Sequence, residues 1–280
     1  MAYKTILVHG NDKRRIERVA GAAAELAERF QSHLIGLSVA PPVRVLPAGM
    51  PGSPDTLVID ERTQAYRRDN PALKAAFDAA VQGRRCTSEW CEEEALGGTV
   101  SEVVIQYASG ADLVVAAQRD RRWPESHALD VAERLAIEAG RPVLIVPNAG
   151  LHSRIGTNVL VAWNGRREAT RAAFEALPLL QGASDVKVLT LGPEAEGEPA
   201  REPSATHLCA GLARHGVVCQ VVDAAAGANT GEALLNRAIE HRADLIVMGC
   251  YGHSRFSELV FGGASRFMLA HTTVPVLMSH

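Results

Sequence analysis

The chain has 280 residues, more than one average domain, with 47% hydrophobic and 22% charged residues, proportions ordinary for a globular protein. Its formal net charge is −3, from 29 basic and 32 acidic residues, and the short positive run Arg119-Asp120-Arg121-Arg122 has an acid inside it. That balance argues against a nucleic-acid partner, and the absence of any run near ~18 apolar residues argues against a membrane partner.

In chain order, the opening MAYKTILVHGNDKRR gives four apolar residues and then charges, which does not read as a signal peptide. The expected location is therefore the cytoplasm. Residues 5–8 read as a buried strand. Ile16, Val19, Ala20, Ala23, Ala27 and Phe30 then fall at three- and four-residue spacing along one helix face. Residues 34–39 read as a second strand, followed by a proline-rich excursion over 41–54. Thr99 and Glu102 have capping-box spacing before Val103-Val104-Ile105. Strands at 113–116 and 143–146 close this half, and a polar stretch over 148–156 suits a linker. The second half alternates in the same way, with strands at 159–161, 186–191, 217–222, 245–248 and 276–278. An excursion rich in proline and glutamate, 192–203, again follows its second strand, and Asn229 and Glu232 repeat the cap spacing before Ala233-Leu234-Leu235. Only 5% of residues are aromatic, so the core is expected to be aliphatic, as in helices packed on a parallel sheet.

The two halves echo each other. Gly110-Ala111-Asp112-Leu113-Val114-Val115 is answered by Arg242-Ala243-Asp244-Leu245-Ile246-Val247, and Pro142-Val143-Leu144 by Pro275-Val276-Leu277. The intervals from Asp112 to Pro142 and from Asp244 to Pro275 differ by a single residue. Matched anchors at matched spacing indicate a tandem duplication, with domains over 1–148 and 156–280.

After the strand at 245–248 come Gly249 and Gly252, then Gly262 and Gly263, which open a helical run over 264–270. Glycines let a backbone approach an anion, and the free N–H groups of a helix start favour negative charge. The segment is therefore a candidate phosphate cradle, although glycine turns between strand and helix also serve tight packing. It is neither a Walker A loop nor a GxGxxG fingerprint. The front half has Ala117-Gln118-Arg119-Asp120 and Leu129-Asp130-Val131 at the corresponding places. There, side chains and carboxylates would fill or repel what a cradle needs, so that half is expected to be structural or a partner surface.

These features resemble the universal stress protein family, specifically its tandem two-domain members. The nucleotide-binding motif of that family, G-x2-G-x9-G followed by Ser, Thr or Asn, is matched by Gly249, Gly252 and Gly262; Gly263 departs from it, with Ser265 two residues on. The resemblance implies two tandem doubly wound α/β domains, each a five-stranded parallel sheet flanked by helices and akin to the adenine-nucleotide α-hydrolases. It also implies ATP as ligand, with or without Mg, and a role in stress response. Copies would pair through their last strands, whether as the two domains of one chain or in a homodimer. Ala162, Trp163 and Asn164 would lie near ribose and adenine, with Thr190 and Leu191 beside the base. Met248, Gly249, Gly252, Gly262, Gly263, Ala264 and Ser265 would wrap the phosphates. Asn164 stands where the family often has Asp, and adds no charge.

Other residues read plainly. The five cysteines form no CxxC pair, so neither a disulfide framework nor a structural zinc site is expected, and Cys250 reads as inert. His207, His215, His241, His271 and His280 show no metal-ligand spacing. His253, Ser254 and Arg255 read as a solvent-facing loop, and Asn164 equally as a cap for the helix near Arg166. Three functions stay open: an adenine-nucleotide sensor or regulator, an interaction protein whose site is lost at Gly263, and an ATP-using enzyme. The enzyme reading lacks its Ser-Gly-Gly loop, since Ala162-Trp163-Asn164-Gly165 follows the strand, and it allows at most a slow ATPase.

Overall fold

The computed structural model describes residues 2–10, 13–42, 61–120, 131–150, 152, 154–192, 205–250 and 263–280. Apart from residues 41, 42 and 192, the two excursions expected at 41–54 and 192–203 lie outside the described residues, as do Gly252, Gly262, Leu129, Asp130 and the loop residues His253, Ser254 and Arg255.

The front half runs β1 (Thr5–His9), α1 (Ile16–Phe30), β2 (His33–Ala40), α2 (Glu61–Val81), β3 (Thr87–Glu94), α3 (Val100–Ala108), β4 (Leu113–Ala117), α4 (Ala132–Glu138) and β5 (Val143–Val146). The back half runs β6 (Asn158–Trp163), α5 (Arg167–Glu175), α6 (Leu177–Leu180), β7 (Asp185–Gly192), α7 (Ala205–Ala213) and β8 (Gln220–Ala225). It continues with α8 (Thr230–Glu240), β9 (Leu245–Gly249), α9 (Gly263–His271) and β10 (Val276–Ser279). The strands form one sheet in the order β3-β2-β1-β4-β5-β10-β9-β6-β7-β8. Each half supplies five parallel strands, and the halves meet where β5 and β10 pair antiparallel, Val143 opposite Met278 and Ile145 opposite Val276. β5 and β10 are buried along their whole length. As edges they would expose apolar strands; paired, they make a continuous core.

The repeated Asp has a visible task. Asp112 accepts the backbone N–H groups of Lys4 and Thr5 at 2.7 and 3.0 Å, and Asp244 accepts those of Gly156, Thr157 and Asn158 at 2.8–3.1 Å. Each carboxylate thus fixes the start of its half's first strand. The repeated Pro supplies a carbonyl, Pro142 to the N–H of Val114 and Pro275 to that of Ile246.

Two strands differ from the sequence pattern. β3 escapes it because Thr-Ser-Glu-Trp-Cys-Glu-Glu-Glu lies at the sheet edge, with little burial on either face. β8 starts at Gln220 rather than 217, because Val217 is buried in the turn after α7, where its N–H bonds to the carbonyl of Leu212. The capping box forms at Thr99 and Glu102. Asn229 caps α8 by accepting from the N–H groups of Gly231 and Glu232.

In each half the strand order reverses beside the first strand, between β1 and β4 and between β6 and β9. A crevice at the carboxyl ends of such strands is where open α/β sheets take ligands. No helix among the described residues is long and apolar enough to cross a membrane.

Candidate functional site

The crevice of the back half is a cleft of about 740 Å³. β6 lines it with Ala162 and Trp163, β7 with Leu189 and Leu191, and β9 with Met248 and Gly249. Gly263, Ala264 and Ser265 contribute the first turn of α9, and Asn164 the turn after β6. These segments, dispersed along the chain, meet because parallel strands all deliver their carboxyl ends to the same edge. All but one of the described residues placed at the site on the sequence therefore line one cleft. Thr190 is set apart from it, since its hydroxyl donates to Asp223 on β8.

The walls combine two chemistries. Trp163, Leu189 and Met248 are buried apolar groups. Opposite in character are the α9 start, the Asn229 and Thr230 start of α8, and the side chains of Arg166, Arg266 and His271. Arg166, Arg266, Asn229, Thr230 and His271 carry no motif linking them to a ligand, and chain folding alone brings them here. Asn229 was legible only as a cap and His271 only as a surface residue.

The glycines have separate reasons. A Cβ on Gly249 would lie 2.4 Å from the backbone nitrogen of Ala169 and 2.5 Å from the carbonyl carbon of Glu168, so β9 can pack against α5 only without a side chain there. At Gly263 an added Cβ meets nothing within 4 Å among the described residues. Among the described residues, packing demands the first glycine and makes no such demand of the second. In the turn from β6 to α5, Asn164 Oδ1 accepts the N–H of Arg166 at 3.1 Å, and Gly165 takes φ 68°, the left-handed region that favours glycine.

No carboxylate lines the cleft among the described residues. Glu168 sits just behind it, buried. Burial works against its charge, but hydrogen bonds from its own backbone N–H and from Arg167, at 3.0 Å, hold its carboxyl below the ordinary range. The described residues also contain no group of His, Cys, Asp and Glu able to hold a metal ion. Amides, hydroxyls and guanidinium groups are a donor set for an anion; magnesium is usually anchored through one or two carboxylates. The residues present do not fit a protein-held magnesium.

Cys250, next to Gly249, is fully buried; burial first, then the charge of Glu168, pushes its thiol up to about 12. Its Sγ donates to the carbonyl of Ala136 at 3.1 Å. A buried, protonated thiol of this kind is an inert packing group.

In the front half, described side chains are packed at the carboxyl ends of β1 and β4. His9, the counterpart of Ala162, is completely buried with neither ring nitrogen hydrogen-bonded, and burial lowers its pKa to about 3. Tyr66 of α2 donates to the carbonyl of Gly10 at 2.9 Å and accepts from Val39 N–H at 3.2 Å. Arg15 donates to the carbonyl of Gln118 at 2.7 Å.

Residues 157–280 match the model of the universal stress protein family. The C-terminal half of the chain belongs to the universal stress protein family. Universal stress protein Slr1230 of Synechocystis sp. is 26% identical over 176 residues, a stretch covering 59% of this chain and 57% of that protein. The match therefore spans little more than half of that relative's length. A universal stress protein from Archaeoglobus fulgidus has the same fold at a TM-score of 0.68 and 17% identity, over 98% of this chain and 95% of its own. A functionally unknown protein from Pseudomonas aeruginosa PAO1 follows at 0.54 and 16% identity, over 99% and 92%. These likenesses concern the fold, and they extend it over both halves of the chain.

Proposed function

We propose that the back-half cleft binds ATP or a related adenine nucleotide, and that the chain acts as a sensor or regulator in a stress response. The observation that carries this reading is the make-up of one cleft. Trp163, Leu189, Leu191 and Met248 offer apolar surface for a base, and the start of α9 offers backbone N–H groups for phosphates. The universal stress protein match falls on this half. On this reading 156–280 is the ligand-binding domain, and 1–148 braces the pair or presents a surface to a protein partner.

Binding without rapid turnover is the expected behaviour. None of the described lining residues is a carboxylate suited to activate water, and a general base must lie within hydrogen-bond reach of the water it activates. Equilibrium dialysis with ATP up to about millimolar tests the reading: saturable binding at one site per chain supports it. No retention at that concentration favours the interaction-protein alternative, and fast multiple-turnover hydrolysis favours the enzyme.

A further inference from the structure

We infer that Cys209 and Cys219 form a redox pair, two thiols that peroxide joins into a disulfide and a thiol reductant releases, fastening α7 to the start of the edge strand β8. The inference is independent of the nucleotide reading, since neither residue lines the cleft.

The turn after α7 brings the two side chains together. α7 ends at Ala213, and Gly216 follows at φ 81°. The N–H of Gly216 bonds to the carbonyl of Ala213 at 3.0 Å, and that of Val217 to the carbonyl of Leu212 at 3.1 Å. This glycine-closed helix end turns the chain back along the helix it has just left. Cys219 lies two residues beyond Val217, at most roughly 7 Å along the chain. Cys209 lies about one turn back from the helix end, roughly 4.5–6 Å along the axis. The returning chain therefore draws level with Cys209 at Cys219. Both side chains pack against the same core, and the Cys219 thiol donates to the Cys209 sulfur. Both are half-buried, which leaves the pair open to small solutes. The other three thiols have different neighbours: Cys250 is turned to Ala136, Cys86 lies beside Glu28 and Arg84, and Cys91 beside Glu89 and Tyr107.

Burial, and then the hydrogen bond to Cys209, push the Cys219 thiol up to about 12. Cys219 thus keeps its proton, and Cys209 is the sulfur that reacts first. With hydrogen peroxide as oxidant, the Cys209 sulfur gives up its proton and attacks one peroxide oxygen. The O–O bond breaks, leaving a sulfenic acid and one water. The Cys219 sulfur then attacks that sulfur while its proton passes to the departing hydroxyl. The S–O bond breaks, the S–S bond forms and a second water leaves. Two thiols and one peroxide give one disulfide and two waters. The product closes residues 210–218 into a loop at the outer edge of the sheet, and thiol–disulfide exchange reopens it.

Peptide mapping of the folded full chain tests this. The protein is treated with hydrogen peroxide, its remaining thiols are blocked with N-ethylmaleimide, and it is then unfolded and digested with trypsin without reductant. Arg214 stands between the two cysteines, so the bond would hold together two tryptic peptides, 202–214 and 215–237. The expected result is that linked pair as the main disulfide product, lost on treatment with dithiothreitol and absent from Cys209→Ser and Cys219→Ser. In Cys219→Ser the oxidised Cys209 should instead be trapped by dimedone as its sulfenic acid. Separate peptides with both cysteines blocked by N-ethylmaleimide overturn the inference. So does Cys209 carried on to sulfinic or sulfonic acid while Cys219 stays a thiol, or cross-linking spread over all five cysteines as in a urea-unfolded control. The wild-type map decides between these outcomes whether or not either variant folds.

Discussion

Gln118 and Cys250 hold the same place in the two halves and reach in opposite directions across the seam. Gln118 Nε2 donates to the carbonyl of Thr272, just past α9, at 3.1 Å; Cys250 Sγ donates to the carbonyl of Ala136, in α4, at 3.1 Å. Their backbones match too, with Gln118 N–H bonded to Val146 and Cys250 N–H to Ser279. The position that leads into the glycine-rich segment in one copy is therefore, in both copies, part of the bracket between them. Gln118 also accepts the N–H of Asn148 at 3.0 Å.

Replacing Gln118 by Leu keeps the bulk and strands a buried carbonyl at Thr272. Unsatisfied buried polar groups cost about 1–3 kcal/mol each. Urea unfolding of Gln118→Leu should show that loss, whereas Cys250→Ala, which removes a weaker donor, should cost less. Equal stability of Gln118→Leu and the wild type would contradict the bracket.

Gly249→Ala should destabilise the protein by about 1–3 kcal/mol, the range for overpacking, because the new Cβ meets the α5 backbone. Thermal melting without ligand measures it. An unchanged melting temperature would mean that this glycine is not held by packing.

Gly263→Ser should behave in the opposite way. Its Cβ meets no described residue within 4 Å, so stability should change little, and the hydroxyl stands where the family motif carries one. One added neutral hydrogen bond, about 0.5–1.5 kcal/mol, tightens ATP roughly two- to twelve-fold. Weaker binding by this variant would mean that the α9 start does not face the phosphates.

His9 gives the fold an acid limit. Burial holds its pKa at about 3 against 6.5 unfolded, with the Arg15 charge adding to the effect. Between these values the unfolded chain binds a proton that the native one refuses. The contribution from His9 is thus complete above about pH 6.5 and is lost as pH falls toward 3, with a slope of up to about 1.4 kcal/mol per pH unit. His9→Leu should flatten the stability profile over that window; an unaltered slope would assign the acid sensitivity to other groups.

The sequence disclosed what backbone geometry enforces. Asp112 and Asp244 reveal the duplication because each ties down a first strand, and Pro142 and Pro275 because each feeds a carbonyl to the neighbouring strand. Edges were harder to see. β3 has no buried face to impose alternation, and Val218, 87% exposed, looked like strand core next to the buried Val217. Within the cleft, Ala162, Trp163 and Asn164 were placed through the family resemblance, and Gly249 and the α9 start through their glycines. Arg166, Arg266 and Thr230 were not, since nothing local distinguishes a cleft arginine from a solvated one. Gly249 shows the converse: its spacing fits a phosphate motif, while its close approach to α5 accounts for it without any ligand.

The most direct test of a nucleotide site in the back half is photolabelling with an azido-adenine nucleotide, followed by peptide mapping. Label on peptides containing Trp163, Leu191 or Met248, suppressed by excess ATP, is the predicted result. Label confined to residues 1–148, or label that ATP does not displace, would contradict it.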